Sequence, residues 1–146
     1  MEKQAIKGKR RARRMALQAL YQWLMAQGDL YEIEAQFRAA NDMSRVDGAY
    51  FTKLLRGIPG AIEQIDQSFL PHLDRPLEQL NPIELTVLRI SAFELLHCLE
   101  IPYRVVLDEG ISMAKEFGSQ DGYRYVNGVL NNLAQQARQP EISHGA

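Results

Sequence analysis

The densest run of chemistry-bearing side chains is Lys9-Arg10-Arg11-Ala12-Arg13-Arg14. Arginine carries a fixed charge and a planar fork of donors that matches phosphate oxygens, and its guanidinium also stacks on nucleobases. Short arginine-rich segments commonly order on RNA. The same composition suits a solvated charge run or a localisation-type patch, so the run alone leaves both readings open. It leads into a helical pattern whose outer arc holds Gln18 and Tyr21, a hydrogen-bonding side chain and an aromatic ring. Single strands are read by stacking and edge contacts, which favours RNA, although Tyr21 also fits a half-buried boundary position.

Constellations for bond chemistry are poor. His72, His97 and His144 are scattered. His97 and Cys98 are neighbours, so on a helix they point about 100° apart, and Cys98 reads as a small packing residue. Glycine-rich phosphate loops, metal-ligand spacings and serine elbows are missing. No catalytic residue, metal or cofactor is expected, and the chain reads as a non-enzyme. Arg89 and Glu94 are unusual charges on an apolar segment. They stand five residues apart, out of helical pairing register, so each should find a different structural partner.

The 146 residues suit one compact domain or two small helical subdomains sharing a core. A hydrophobic share of 46% supplies that core. The lone cysteine excludes an internal disulfide and fits a reducing cytoplasm. No apolar run approaches the roughly 18 residues of a membrane span, and the basic start lacks the apolar stretch of a secretory signal. Net charge is −1, but residues 1–14 hold seven Lys/Arg and one Glu, and the remainder ten Lys/Arg and seventeen Asp/Glu. A basic arm on an acidic body suits a polyanion and a basic protein, while the acidic surface also serves solubility.

The elements that must position these groups read as helix throughout. The first covers 10–27, stopped by Gly28, with Ala16, Leu17, Leu20, Trp23, Leu24 and Gln27 in one arc and Lys7, Arg10, Arg11, Arg14, Gln18, Tyr21 and Met25 opposite. A second, 30–40, opens on an Asp29/Glu32 capping pair. A third stretch, 46–72, keeps helical phase from Phe51 to Phe69, yet Gly57-Ile58-Pro59-Gly60 interrupts it, which predicts a kink or two nearly collinear helices. Residues 73–81 form a linker. Asn81 and Pro82 then start a helix over 82–99 that is apolar nearly all round, hence a buried central strut. Two more follow at 103–117, stopped by Gly118, and at 121–137. Gly128 in the last costs about 1 kcal/mol relative to alanine, which suggests close helix approach or room for a ligand. The expected organisation is a flexible basic arm over 1–9, an all-helical domain over 10–137 with subdomains 10–72 and 82–137, and a frayed tail over 138–146.

Several segments together resemble the NusB family. They are Lys9–Arg14 followed by Ala16-Leu17-Gln18-Ala19-Leu20-Tyr21; Tyr50-Phe51 with Leu54-Leu55 and Gly57; Val87-Leu88-Arg89-Ile90 with Glu94-Leu95; Ile101-Pro102-Tyr103 with Glu109; Ala114-Lys115 with Phe117-Gly118; and Tyr125-Val126-Asn127-Gly128-Val129-Leu130. Their order and spacing cover residues 9 to about 137. Gly110, where the family pattern has alanine, and Pro59, in a stretch often free of proline, are departures.

The resemblance implies an all-α fold of about seven helices in two small bundles. It implies transcription antitermination: binding of boxA-type single-stranded RNA in ribosomal transcripts, pairing with the small-subunit ribosomal protein NusE, and joining an RNA polymerase elongation complex with other Nus factors. Carried over by position, Lys9, Arg10, Arg11, Arg13 and Arg14 hold RNA phosphates, and Gln18 and Tyr125 are further RNA contacts. Tyr21, Glu84 and Asp121 form the protein-partner face. With about five phosphates neutralised, log affinity falls against log salt with a slope of roughly −3 to −4. Two alternatives stay open. One is a piece of an RNA-modifying enzyme, disfavoured by the lack of a βαβ cofactor pattern. The other is a protein-binding helical scaffold with an incidental basic arm.

Overall fold

The structure, a computed structural model, describes residues 2–145. Met1 and Ala146, the first residue of the expected arm and the last of the expected tail, lie outside the described residues. Among the described residues there are eight α-helices and no strand: α1 (Glu2–Ala26), α2 (Leu30–Ala40), α3 (Gly48–Gly60), α4 (Ile62–Phe69), α5 (Pro82–His97), α6 (Tyr103–Phe117), α7 (Gly122–Ala137) and α8 (Gln139–Gly145). None of them is long and apolar enough to cross a membrane.

The chain divides into two compact units, one ending at Ala61 and one beginning at Ile62. The division falls inside the stretch read as 46–72, so α4 lies in the second unit, together with the linker over 73–81. Pro59 sits in the last turn of α3 and brings no N–H to the ladder. The Ala61 N–H closes that turn on the carbonyls of Gly57 and Ile58, and Ala61 then leaves helical geometry.

In the first unit α1 packs on α2 and α3. Ala12, Ala16, Leu17, Ala19 and Leu20 are buried on α1, and Phe51, Leu54, Leu55 and Ile58 on α3, at the helical spacing the sequence shows. Asp29 caps α2, accepting from the Tyr31 N–H at 2.8 Å. The α2–α3 contact is fastened by buried Glu34, whose carboxylate accepts from Arg38, from Thr52 and from both Nε and Nη2 of Arg56 at 2.5–3.2 Å. Burial pushes the Glu34 pKa up, but the Thr52, Arg56 and Arg38 hydrogen bonds outweigh it and hold the carboxyl below its ordinary range.

In the second unit α5 is the buried strut, flanked by α4, α6 and α7. Asn81 caps it through the N–H groups of Ile83 and Glu84. The helix ends at His97, so Leu99, expected inside it, lies in the following turn and is 68% exposed. Arg89 reaches across to Asp66 with a two-point contact at 3.0 and 2.9 Å. Gly110 is a point of close approach: a Cβ there would stand 2.6 Å from Ser91 Oγ and 3.0 Å from Leu130 Cδ1. Gly128 is the opposite case, exposed and with open space above it, so close helix approach does not account for it.

Of the stretch expected to fray, residues 139–145 form α8, and Arg138 before it is 3% exposed. Its guanidinium donates to the carbonyls of Leu95, Ile101, Glu94 and Cys98 at 2.8–3.1 Å and to Glu141 at 2.6 Å. This one side chain caps the C-terminal end of α5 and fastens the turn after it. Glu141 also accepts from the Tyr103 N–H, which with Arg138 lowers its pKa.

Candidate nucleic-acid interface

Helix α1 begins at Glu2, so the arm expected to be flexible over 1–9 is helical where described. That geometry sorts the cations by the 100° step per residue. Lys7, Arg10, Arg11 and Gln18 are exposed and Arg14 is half-exposed, forming one stripe on the solvent side. Arg14 donates to the Arg10 carbonyl at 3.4 Å, which lays it along the helix.

Lys9 and Arg13 share a different face. The Lys9 ammonium lies 5.1 Å from the centroid of the Tyr50 ring, and the Arg13 guanidinium 5.6 Å from it. Tyr50 is itself held at the start of α3, where its N–H donates to Asp47. Lys9 stays half-buried, but Arg13 is only 3% exposed. Arg13, expected on a phosphate, is thus placed against Tyr50, where a cation buried on an aromatic face contributes packing and a cation–π contact. Its four charged neighbours in the run made it look equivalent, and only the position of Tyr50 distinguishes it.

In the second unit Tyr125, on the second turn of α7, is half-buried. The Arg75 guanidinium stacks on its ring at 4.6 Å, and its hydroxyl accepts from the Asp74 N–H at 3.2 Å. Arg75 is fixed in turn by Asp74 through contacts of 2.6 and 3.1 Å. Burial raises the Tyr125 pKa, and the Arg75 hydrogen bond holds Asp74 below the ordinary range. A preformed stack of cation and ring is a surface on which a base can continue the stacking. Arg75 went unnoticed in the sequence because it is a lone cation in a linker, fifty positions from the ring it covers.

Glu84, expected on a partner-binding surface, is 7% exposed. Its Oε2 accepts from the N–H and the hydroxyl of Ser119 at 2.8 and 2.7 Å, and a β-carbon at Gly122 would collide with the carboxylate. It ties the α6–α7 loop from beneath and so positions that loop. Asp121, on the loop, is exposed and 3.9 Å from Arg124 Nε. Tyr21 is half-buried on α1, in the first unit, whereas Glu84 and Asp121 lie in the second.

The sequence model of the NusB family matches residues 10–135. A transcription antitermination protein NusB from Legionella pneumophila is 68% identical over 143 residues, covering 98% of this chain and 97% of that protein. Another, from Pseudomonas entomophila, is 53% identical over 134 residues, covering 92% and 81%. Among solved structures, T. maritima NusB superposes with a TM-score of 0.77 at 28% identity, covering 92% of this chain and 96% of that one.

Proposed function

Because the chain belongs to the NusB family of transcription antitermination proteins, we propose that it works as an RNA-binding adaptor with no bond-making step. It binds boxA-type single-stranded RNA through the outer face of α1, pairs with the ribosomal protein NusE, and joins an elongating RNA polymerase with other Nus factors in the cytoplasm. The observation that carries this is the stripe of Lys7, Arg10, Arg11, Arg14 and Gln18 along one solvent-facing side of a continuous helix. A rigid helix presents these donors at fixed spacing, so less ordering is needed on binding than for a flexible arm.

The charge distribution supports two different partners. The unit ending at Ala61 holds eleven Lys/Arg and six Asp/Glu, and the unit from Ile62 holds six and twelve. A net of +5 suits a polyanion, and a net of −6 suits a basic protein. The phosphate contacts supply a salt-dependent term that is blind to sequence, and selectivity comes from base contacts and from the partner. Gln18 and the Tyr125–Arg75 stack are the groups suited to bases. Tyr21 and Asp121 are the residues assigned to the partner, with Glu84 holding Asp121's loop in place. Tethering RNA and protein to one scaffold raises the effective concentration of each for the other.

The test is fluorescence anisotropy with a boxA-like RNA and a scrambled control over a salt series, with and without NusE. With Lys9 and Arg13 turned to Tyr50, the four cations of the stripe, Lys7, Arg10, Arg11 and Arg14, give a slope of roughly −3. The expected result is a preference for boxA that NusE strengthens. Equal weak binding to both RNAs, unmoved by NusE, overturns the adaptor reading.

A further inference from the structure

One basic feature of the first unit extends beyond the arginine run. Between α1 and the 3-10 turn Met43–Arg45 is a cleft lined by Lys7, Gly8 and Arg11 on one wall and by Ser44, Arg45 and Asp47 on the other. The turn is pressed onto the helix at Gly8, whose carbonyl accepts from the Asp47 N–H at 3.1 Å. A β-carbon at Gly8 would stand 3.4 Å from that nitrogen, so the floor of the cleft is bare backbone. Lys7 and Arg11 are one turn apart on the helix and share the wall. Arg11 Nη1 reaches the Arg45 carbonyl at 3.5 Å, which holds Arg11 against the turn that carries Arg45.

Three cations thus meet at one opening, and all three are exposed. Among the described residues none of them is in an ion pair. The nearby carboxylates are already engaged at helix starts. Asp42 accepts from the Ser44 N–H, which lowers its pKa, and Asp47 accepts from the Tyr50 N–H. Asp42 also feels the Arg45 charge, and Asp47 lies in the wall, so two carboxylates face three cations; the balance is positive, and an anion relieves the remaining repulsion.

We propose that this cleft binds a backbone phosphate of the same RNA strand, carrying it off α1 and over the 43–45 turn, with Arg45 as an RNA contact. The proposal rests on the RNA reading above, because Lys7 and Arg11 belong both to the cleft and to the stripe, so a strand lying on the stripe reaches the cleft without a gap. A free phosphate has the same local chemistry, and the test separates the two.

Anisotropy is measured for the full chain, Arg45→Ala, Arg45→Lys and Arg10→Ala, using one RNA and versions shortened stepwise from either end. Loss of one phosphate contact lowers the salt slope by about 0.7, which between 1 M and 0.1 M salt amounts to about a fivefold loss of affinity. Arg45→Ala shows both changes on the full-length RNA, Arg45→Lys keeps the slope, and shortening from one end only abolishes the difference. All variants melt like the parent, since Arg45 is exposed. If Arg45→Ala binds every RNA like the parent while Arg10→Ala binds less, the cleft assignment fails and the α1 reading stands. If the parent binds no RNA, both fail. If inorganic phosphate at constant ionic strength removes the Arg45-dependent part, the cleft is a free-anion site and the strand path is wrong.

Discussion

Arg138→Ala should be among the most damaging single substitutions in this chain, although the sequence places it at the start of an apparent tail. The wild-type guanidinium is 3% exposed and donates to four main-chain carbonyls and one carboxylate. Two of those carbonyls have a second donor: Glu94 accepts from the Cys98 N–H and Cys98 from the Ile101 N–H. The carbonyls of Leu95 and Ile101 depend on Arg138. Leaving a buried acceptor unsatisfied costs about 1–3 kcal/mol, so two give a loss of about 2–6 kcal/mol, a large fraction of a typical domain's stability. Urea unfolding followed by far-ultraviolet circular dichroism reads this directly. With an m-value of about 2 kcal/mol/M, the midpoint falls by about 1–3 M. Arg138→Lys keeps the charge but loses the planar fork, and lies between the two. A midpoint for Arg138→Ala within about 0.3 M of the parent, where a change in m-value is excluded, refutes the argument that this side chain caps α5.

Three further outcomes follow from the geometry. Arg10→Ala with Arg14→Ala weakens RNA binding and lowers the salt slope by about 1.4 with little change in melting temperature, whereas Arg13→Ala lowers the melting temperature and leaves the slope unchanged; the reverse pattern in melting and anisotropy would put Arg13 back among the phosphate ligands. Glu34 has a folded pKa below its ordinary value of 4.5, so its contribution is fully present above that pH and is lost as pH falls through the folded value. Accordingly, the gap in urea midpoint between the parent and Glu34→Gln narrows below about pH 4.5, and a constant gap down to pH 3 contradicts the network's role. Gly110→Ala places a methyl against Ser91 Oγ and Leu130, at a strain cost of about 1–3 kcal/mol that helix propensity partly offsets. Adding Ser91→Ala removes the nearer clash together with a buried hydroxyl that has no hydrogen-bond partner among the described residues, so the double variant recovers at least about 1 kcal/mol, and strict additivity in urea unfolding would show that the two sites do not touch.

Much of the fold is legible in the amino-acid order because helices are written in local terms. The apolar spacing of Phe51, Leu54, Leu55 and Ile58, the caps at Asp29 and Asn81, and the 82–97 segment, apolar nearly all round, each need only a few neighbours to be read. The outer stripe of α1 follows from the same 100° step, and the family motifs sit on these elements in order.

What escaped is everything set by a partner distant in the chain. Arg13 and Arg14 are adjacent and chemically identical, yet one is buried on Tyr50 and the other remains partly exposed. Glu84 reads as a surface carboxylate until Ser119 and Gly122 close over it, and Arg138 reads as tail until the carbonyls at the end of α5 come within its reach. Periodicity determines which side of a helix a residue occupies. Whether a charge on that side meets water, an aromatic face or an unpaired carbonyl depends on which elements the tertiary structure brings together, and that choice decides between a binding group and a structural one.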